Sequence, residues 1–160
     1  MSQETSAGRK HAATQDVAHE FVSVIVGGQL FGIPVLQVQD VLGPQRLTRI
    51  PLAPAEIAGS LNLRGRIVTA IDLRTRLGLP AAEAGKSGMS IVVDHGGELY
   101  SFVVDQVGEV LSLAEGFEHN PSTLDPLWRD VSAGIYRLDG TLLVVLEVAR
   151  LLDLSARAAA

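Results

Sequence analysis

From Phe21 onward the apolar residues come in short bursts, most of them separated by glycine. FVSVIV (21–26) is rich in β-branched residues, Gly27-Gly28 closes it as a turn, and QLFGI (29–33) returns; this predicts a hairpin. In VLQVQDVL (35–42), Val35, Val38, Val41 and Leu42 fall at helical spacing and predict a short helix, stopped by Gly43-Pro44. LTRI (47–50) reads as a short extended piece, and LAPAEIAGSL (52–61) as a turn-rich connector with one helical turn at 55–58. GRIVTAIDL (65–73) is a clear strand, followed by a turn of helix in RTRLGL (74–79). MSIVVDHGGELYSFVVDQVGEVLSL (89–113) predicts a strand, a Gly96-Gly97 turn and a second strand. EGFEHNPSTLDPLWRD (115–130) reads as a polar loop, SAGIYRLDGTLLVVLEV (132–148) as a hairpin turned by Asp139-Gly140, and VARLLDL (148–154) as a terminal helix.

Strands of this length with frequent turns point to an all-β barrel or sandwich. The strands form two sets, 21–73 and 89–148, which suggests two small barrels sharing a core. Residues 1–18 carry almost no large apolar side chains, so they predict a mobile tail with His11 and His19 as solvated histidines at its end.

Composition narrows the class. The chain has 160 residues, 47% apolar and 19% charged, enough to bury a core. It has no cysteine, which excludes disulfides and thiolate metal sites, and a net charge of −5, which opposes nucleic-acid binding. No apolar run is long enough to span a membrane, and MSQETSAGRKHAATQD lacks the apolar core of a secretory signal; a cytoplasmic protein is expected. Charge is unevenly placed: 46–76 has six arginines and two acids, whereas 94–130 has eight acids and one arginine. Such asymmetry suits an assembly with complementary faces.

Catalytic chemistry is hard to find. There is no GxSxG, GxGxxG or P-loop. Asp72 with Asp94 or Asp105 would make a carboxylate pair, but Leu73-Arg74 stand where that chemistry wants small hydroxyl and glycine residues. Asp94, His95 and Glu98 could gather on a metal; polar residues at a hairpin tip explain them more simply. The arginine-rich stretch has no Phe, Tyr or Trp on which bases could stack. The lone Trp128 reads as partly buried packing, with a binding hot spot as the alternative that the loop around it leaves open.

SLNLRGRIV (60–68) stands apart, because two arginines flank Gly65 between apolar residues. Asn62 and Gly65 read as turn chemistry, Asn tolerating an unusual φ and Gly lacking a Cβ. A turn alone would accept almost any polar residue at 64, and an arginine supplies a fork of donors on a stiff stem.

FGIPVLQVQDVL, LTRIP, AEIAGSLNLRGRIVTAIDLRTRLG, SFVVDQVGEVLSL and GIYRLDGTLLVVLEVARLL together resemble the CheW family of chemotaxis coupling proteins, from about Phe21 to Leu154. NLRG followed by IDLR is shared with the regulatory domain of the histidine kinase CheA and with CheV, but the chain has no room for a kinase core or a receiver domain. The resemblance implies a mainly β fold of two SH3-like five-stranded β-barrels sharing a hydrophobic core, with a few short helices. It places one CheW-like domain at 19–154, with barrels near 21–80 and 88–150 that can exchange strands, and tails at 1–18 and 155–160.

The implied role is a non-enzymatic adaptor without cofactor or metal. It would join the cytoplasmic helical tips of methyl-accepting chemoreceptors to CheA, monomeric when free and part of rings in arrays, with no membrane insertion and no nucleic acid. The positions matching the family's receptor-binding groove are Val38, Asp40, Arg64, Val107 and Val110, with Asn62, Leu63, Arg64 and Gly65 as turn and hinge. The family's arginine pairs with an acid that is usually Glu; the matching residue here is Asp40. Thr69, Ser101 and Glu147 depart from the residues common in the family at those positions. A paralogue serving a non-motility pathway, and a small β-barrel enzyme or ligand-binding protein, are the competing readings.

Overall fold

The structure, a computed structural model, describes residues 19–82 and 88–154; the tails expected at 1–18 and 155–160 lie outside the described residues. Eleven strands and three short helices follow in order: β1 His19–Val26, β2 Gln29–Pro34, β3 Val38–Leu42, β4 Ile57–Leu63, β5 Arg66–Asp72, α1 Leu73–Arg76, β6 Met89–His95, β7 Glu98–Val104, β8 Gln106–Leu113, β9 Phe117–Glu118, α2 Pro126–Val131, β10 Ser132–Leu138, β11 Thr141–Leu146 and α3 Val148–Leu152.

The strands form two sheets, one of six strands in the order β8-β1-β2-β11-β10-β9 and one of five in the order β3-β6-β7-β5-β4. The mainly β expectation holds; the sixth strand of the larger sheet is the two-residue β9, inside the polar loop expected over 115–130. The sheets are not the two halves of the chain. The six-stranded sheet takes β1 and β2 from the start and β8–β11 from the end, so a division near residues 80 and 88 does not separate them. Within each sheet one parallel pair joins the antiparallel parts, β2 with β11 and β5 with β7.

Three apolar clusters follow. Phe21, Tyr136, Leu143 and Val145 fill the six-stranded sheet. Leu61, Val68, Ala70 and Val92 fill the five-stranded one. The largest cluster draws Val24, Phe31 and Ile33 from the first sheet, Ile91, Val93 and Phe102 from the second, and Leu151 from α3, and so joins them as a shared core. Trp128 packs edge-on to Phe31 at 5.2 Å and donates from Nε1 to the Leu77 carbonyl at 2.9 Å, the packing role expected for it.

Local expectations fail in three places. The helix expected over 35–42 is a 3-10 turn at Val35–Gln37 followed by β3. The β-branched valines serve either structure, and pairing with β6 decides for the strand. Ile57–Leu63 is a strand instead of a connector with a helical turn, held against β5. His19 belongs to β1, opposite Leu113, and not to a tail.

The stretch 98–113 is two strands, one in each sheet, parted only at Asp105. That crossing point is clamped. Arg74 Nε and Nη2 donate to the two Asp105 oxygens at 2.9 and 2.7 Å, and Gly27 N donates to the same carboxylate at 2.9 Å. Asp72 caps α1 by accepting from Arg74 N at 3.0 Å. Asp72 and Asp105 therefore each serve a structural partner, and the carboxylate pair considered above has no support.

Candidate functional site

The NLRG segment is the turn between β4 and β5. Leu63 pairs with Arg66, leaving Arg64 and Gly65 as the two central residues, with φ of +52° and +86°. Positive φ at both positions is what the tight hairpin turn matching strand twist requires. Asn62 closes the turn, its Oδ1 accepting from Gly65 N at 2.9 Å. The unusual φ thus falls on Arg64, and not on Asn62 as the sequence suggested. For an arginine this costs on the order of 1 kcal/mol, and Asn or Gly would adopt it more cheaply.

Arg64 is steered by Asp40. Arg64 Nη2 donates to Asp40 Oδ2 at 2.9 Å, while Asp40 Oδ1 accepts from Val41 N at 2.9 Å. The bond from Arg64, and next the one from Val41, hold the Asp40 carboxyl below the usual carboxylate range. The arginine side chain remains 75% exposed, so its outer face is open to a partner.

The five residues matched to the groove divide between two faces. A register shift between Val38 and Asp40 turns them to opposite sides of β3. Val38 lies opposite Val93 of the shared core, whereas Asp40 lies opposite Val92 of the five-stranded interior. Val107 and Val110 face Val24 and Val22 across β1, on the shared-core side. Val38 and Val107 pack against that core, and Val110 is 53% exposed at its rim. All three stand on strands; Val38 is not on the helix expected for it. Because β3 is an edge strand, both faces meet along its free side.

Asp40 and Arg64 rim a notch of about 150 Å³ with Gln39 and Arg66, floored by Leu63, Val92 and Leu99. Among the described residues the Arg66 side chain makes one hydrogen bond, Nη2 to the Gly97 carbonyl at 3.1 Å. Asp94 accepts from Gly97 N at 3.2 Å, which is hairpin-tip chemistry. Among the described residues no three His, Cys, Asp or Glu side chains gather as a metal site, and no helix is long and apolar enough to cross a membrane.

Several exposed residues were not singled out by sequence reasoning. Leu36, 94% exposed, stands on the 3-10 turn just before β3. Leu52 is fully exposed at φ +64°, beside Ile50 and over a recess of about 450 Å³. Phe117 is half-exposed on β9. An apolar letter in a run gives no sign of which way it points. The RIPLAP composition, apolar yet broken by two prolines, was the one available signal for Leu52.

The chain is similar to known proteins over most of its length. The CheW-like domain family profile matches residues 20–156. The chemotaxis protein CheW of Klebsiella aerogenes is 33% identical over 142 residues, 88% of this chain and 86% of that protein. The CheW of Helicobacter pylori is 29% identical over 93% of this chain and 90% of its own. The crystal structure of the scaffolding protein TtCheW from Thermoanaerobacter tengcongensis superposes with a TM-score of 0.76 at 28% identity, over 85% of this chain and 93% of that one.

Proposed function

The chain belongs to the CheW-like domain family, and from that premise we propose that it is the non-enzymatic adaptor of a cytoplasmic bacterial chemosensory array, coupling chemoreceptor tips to the histidine kinase CheA. The observation that carries the reading is Arg64, which occupies a backbone conformation unfavourable to it and is held by Asp40 of the edge strand β3. A residue kept at local cost, with its side chain open to solvent, is better explained by a partner than by the turn.

The helical receptor tip lies along β3 and β8, with Val110, Val107 and Val38 as its apolar seat and Arg64 as its polar guide. Kinase-type contacts use other surfaces. Ile50 and Leu52 project beside the exposed Arg46 and Arg49, while Phe117 projects beside the exposed Glu115 and Glu118. Each is an apolar centre with charged flanks, of opposite sign, as a ring of like domains needs.

The test is a co-elution of the full chain with the CheA regulatory domain and, separately, with a soluble coiled-coil fragment of a receptor tip. Val110→Ser is expected to weaken only the second complex. Binding of neither partner by the wild type would overturn the proposal.

A further inference from the structure

The notch between Asp40, Arg64 and Arg66 has a composition that the turn does not explain. It is the mouth of the five-stranded interior: Arg66 pairs with Leu63 on the inward face, and Asp40 lies opposite inward-facing Val92. Two guanidiniums stand on its rim against one carboxylate. Asp40 is committed to Arg64. Among the described residues Arg66 has no carboxylate within ion-pair distance, and its one bond is to a backbone carbonyl. A guanidinium has five N–H donors, and a single anchoring bond leaves most of a planar fork unused.

In a chain of net charge −5 this is a small, local positive site with an apolar floor. Its volume of about 150 Å³ is below the ~300–1,000 Å³ of pockets that hold free ligands. It has room for one side chain brought by a partner.

We propose that this notch receives an acidic side chain, a Glu or Asp, from the receptor helix, with Arg66 as a specificity-determining contact beside Arg64. The proposal rests on the receptor-coupling reading above. The acid's methylenes lie on Leu63, Val92 and Leu99, and its carboxylate meets the arginines. Contact on both sides of the β3 edge then makes recognition bipartite, apolar at Val110 and ionic at the notch. The apolar seat selects any amphipathic helix; the notch fixes its register by requiring an acid at one position.

The experiment titrates the full-length protein with a soluble coiled-coil fragment carrying the cytoplasmic tip of a receptor from the same genome. Arg66→Gln removes the charge but keeps a shorter polar side chain, and Arg66→Ala removes both; unchanged melting temperatures establish that both fold. Each is expected to weaken tip binding roughly tenfold at moderate salt, as loss of a charge-assisted hydrogen bond does. Each should also flatten the salt dependence. Changing the tip's acids one at a time to Gln should find one whose neutralisation costs wild type about tenfold and Arg66→Gln almost nothing. Wild-type affinity in both variants while Val110→Ser weakens binding overturns the notch and leaves the receptor reading standing. Indifference to all three changes overturns both.

Discussion

Arg64→Asn separates the local and the coupling role of this residue, because the two are expected to move in opposite directions. At φ +52° an ordinary L-residue carries on the order of 1 kcal/mol of backbone strain. Asn visits this region several times more readily and is favoured at this place in a two-residue hairpin turn. The change thus recovers a large part of that strain. It loses the Asp40 contact, but the arginine side chain is 75% exposed, and ion pairs so open to water contribute little to folding. The Asn62–Gly65 bond and the β4–β5 register use none of the arginine's atoms. The net expectation is unchanged or slightly raised stability, a melting temperature within a few degrees above wild type. Receptor-dependent kinase activation, measured with reconstituted receptor, CheA and the purified variant, should collapse. Adding Asp40→Ala to Arg64→Asn should then cost little more, since the acid would have lost the group it aims. A variant several kcal/mol less stable would show that the arginine is structural. A folded variant that activates the kinase as wild type does would refute the coupling role.

Ser101 is fully buried in the five-stranded interior, and among the described residues its Oγ has no hydrogen-bond partner. Ser101→Ala should therefore raise stability by about 1 kcal/mol in chemical denaturation, and a loss would show that the hydroxyl is satisfied. Arg74→Ala should lower stability by about 2 kcal/mol, because it strips a half-buried Asp105 of a two-pronged partner where the chain changes sheets; an effect near zero would mean that the crossing holds without the arginine. The Asp40 carboxyl is lowered on folding, so the stability it adds is present above its unfolded value and is lost as pH falls through the lower folded one. Acid titration of wild type against Asp40→Asn should accordingly converge below the usual carboxylate range, and curves still parallel there would contradict the pair. Leu52→Gly relieves the same kind of strain as Arg64→Asn, at φ +64°; it should keep or raise the melting temperature while weakening CheA binding, and undiminished affinity would remove this loop from the kinase interface.

The turns and the periodicity of most strands were determined locally. Gly27-Gly28, Gly96-Gly97 and Asp139-Gly140 each close a hairpin where they stand in the chain, because only a few residues accept positive φ and those residues are short-range signals. The short helix after Asp72 and the terminal helix at Val148–Leu152 also stand where the sequence places them. The resemblance carried by NLRG and IDLR led to the Asp40–Arg64 pair, which the structure brings to 2.9 Å.

What the tertiary structure decided is non-local. The parallel pairs β2–β11 and β5–β7, with the antiparallel pairs β1–β8 and β3–β6, join segments with no shared turn, and they determine which hairpins share a sheet. Asp105 passes for the middle of one long strand until Arg74, Gly27 and Ile25 are seen to hold it at the crossing between two sheets. The bulge before Asp40 is one extra residue that turns Asp40 away from Val38, so strict alternation places them on one face and the folded chain on two. Val35–Leu42 had a helical pattern in isolation, and only the presence of β6 made extended pairing the better burial for its valines. Local chemistry chooses the turns because φ preferences belong to single residues. Partners, faces and crossing points depend on what each side chain meets across the core, which no window of neighbouring residues contains.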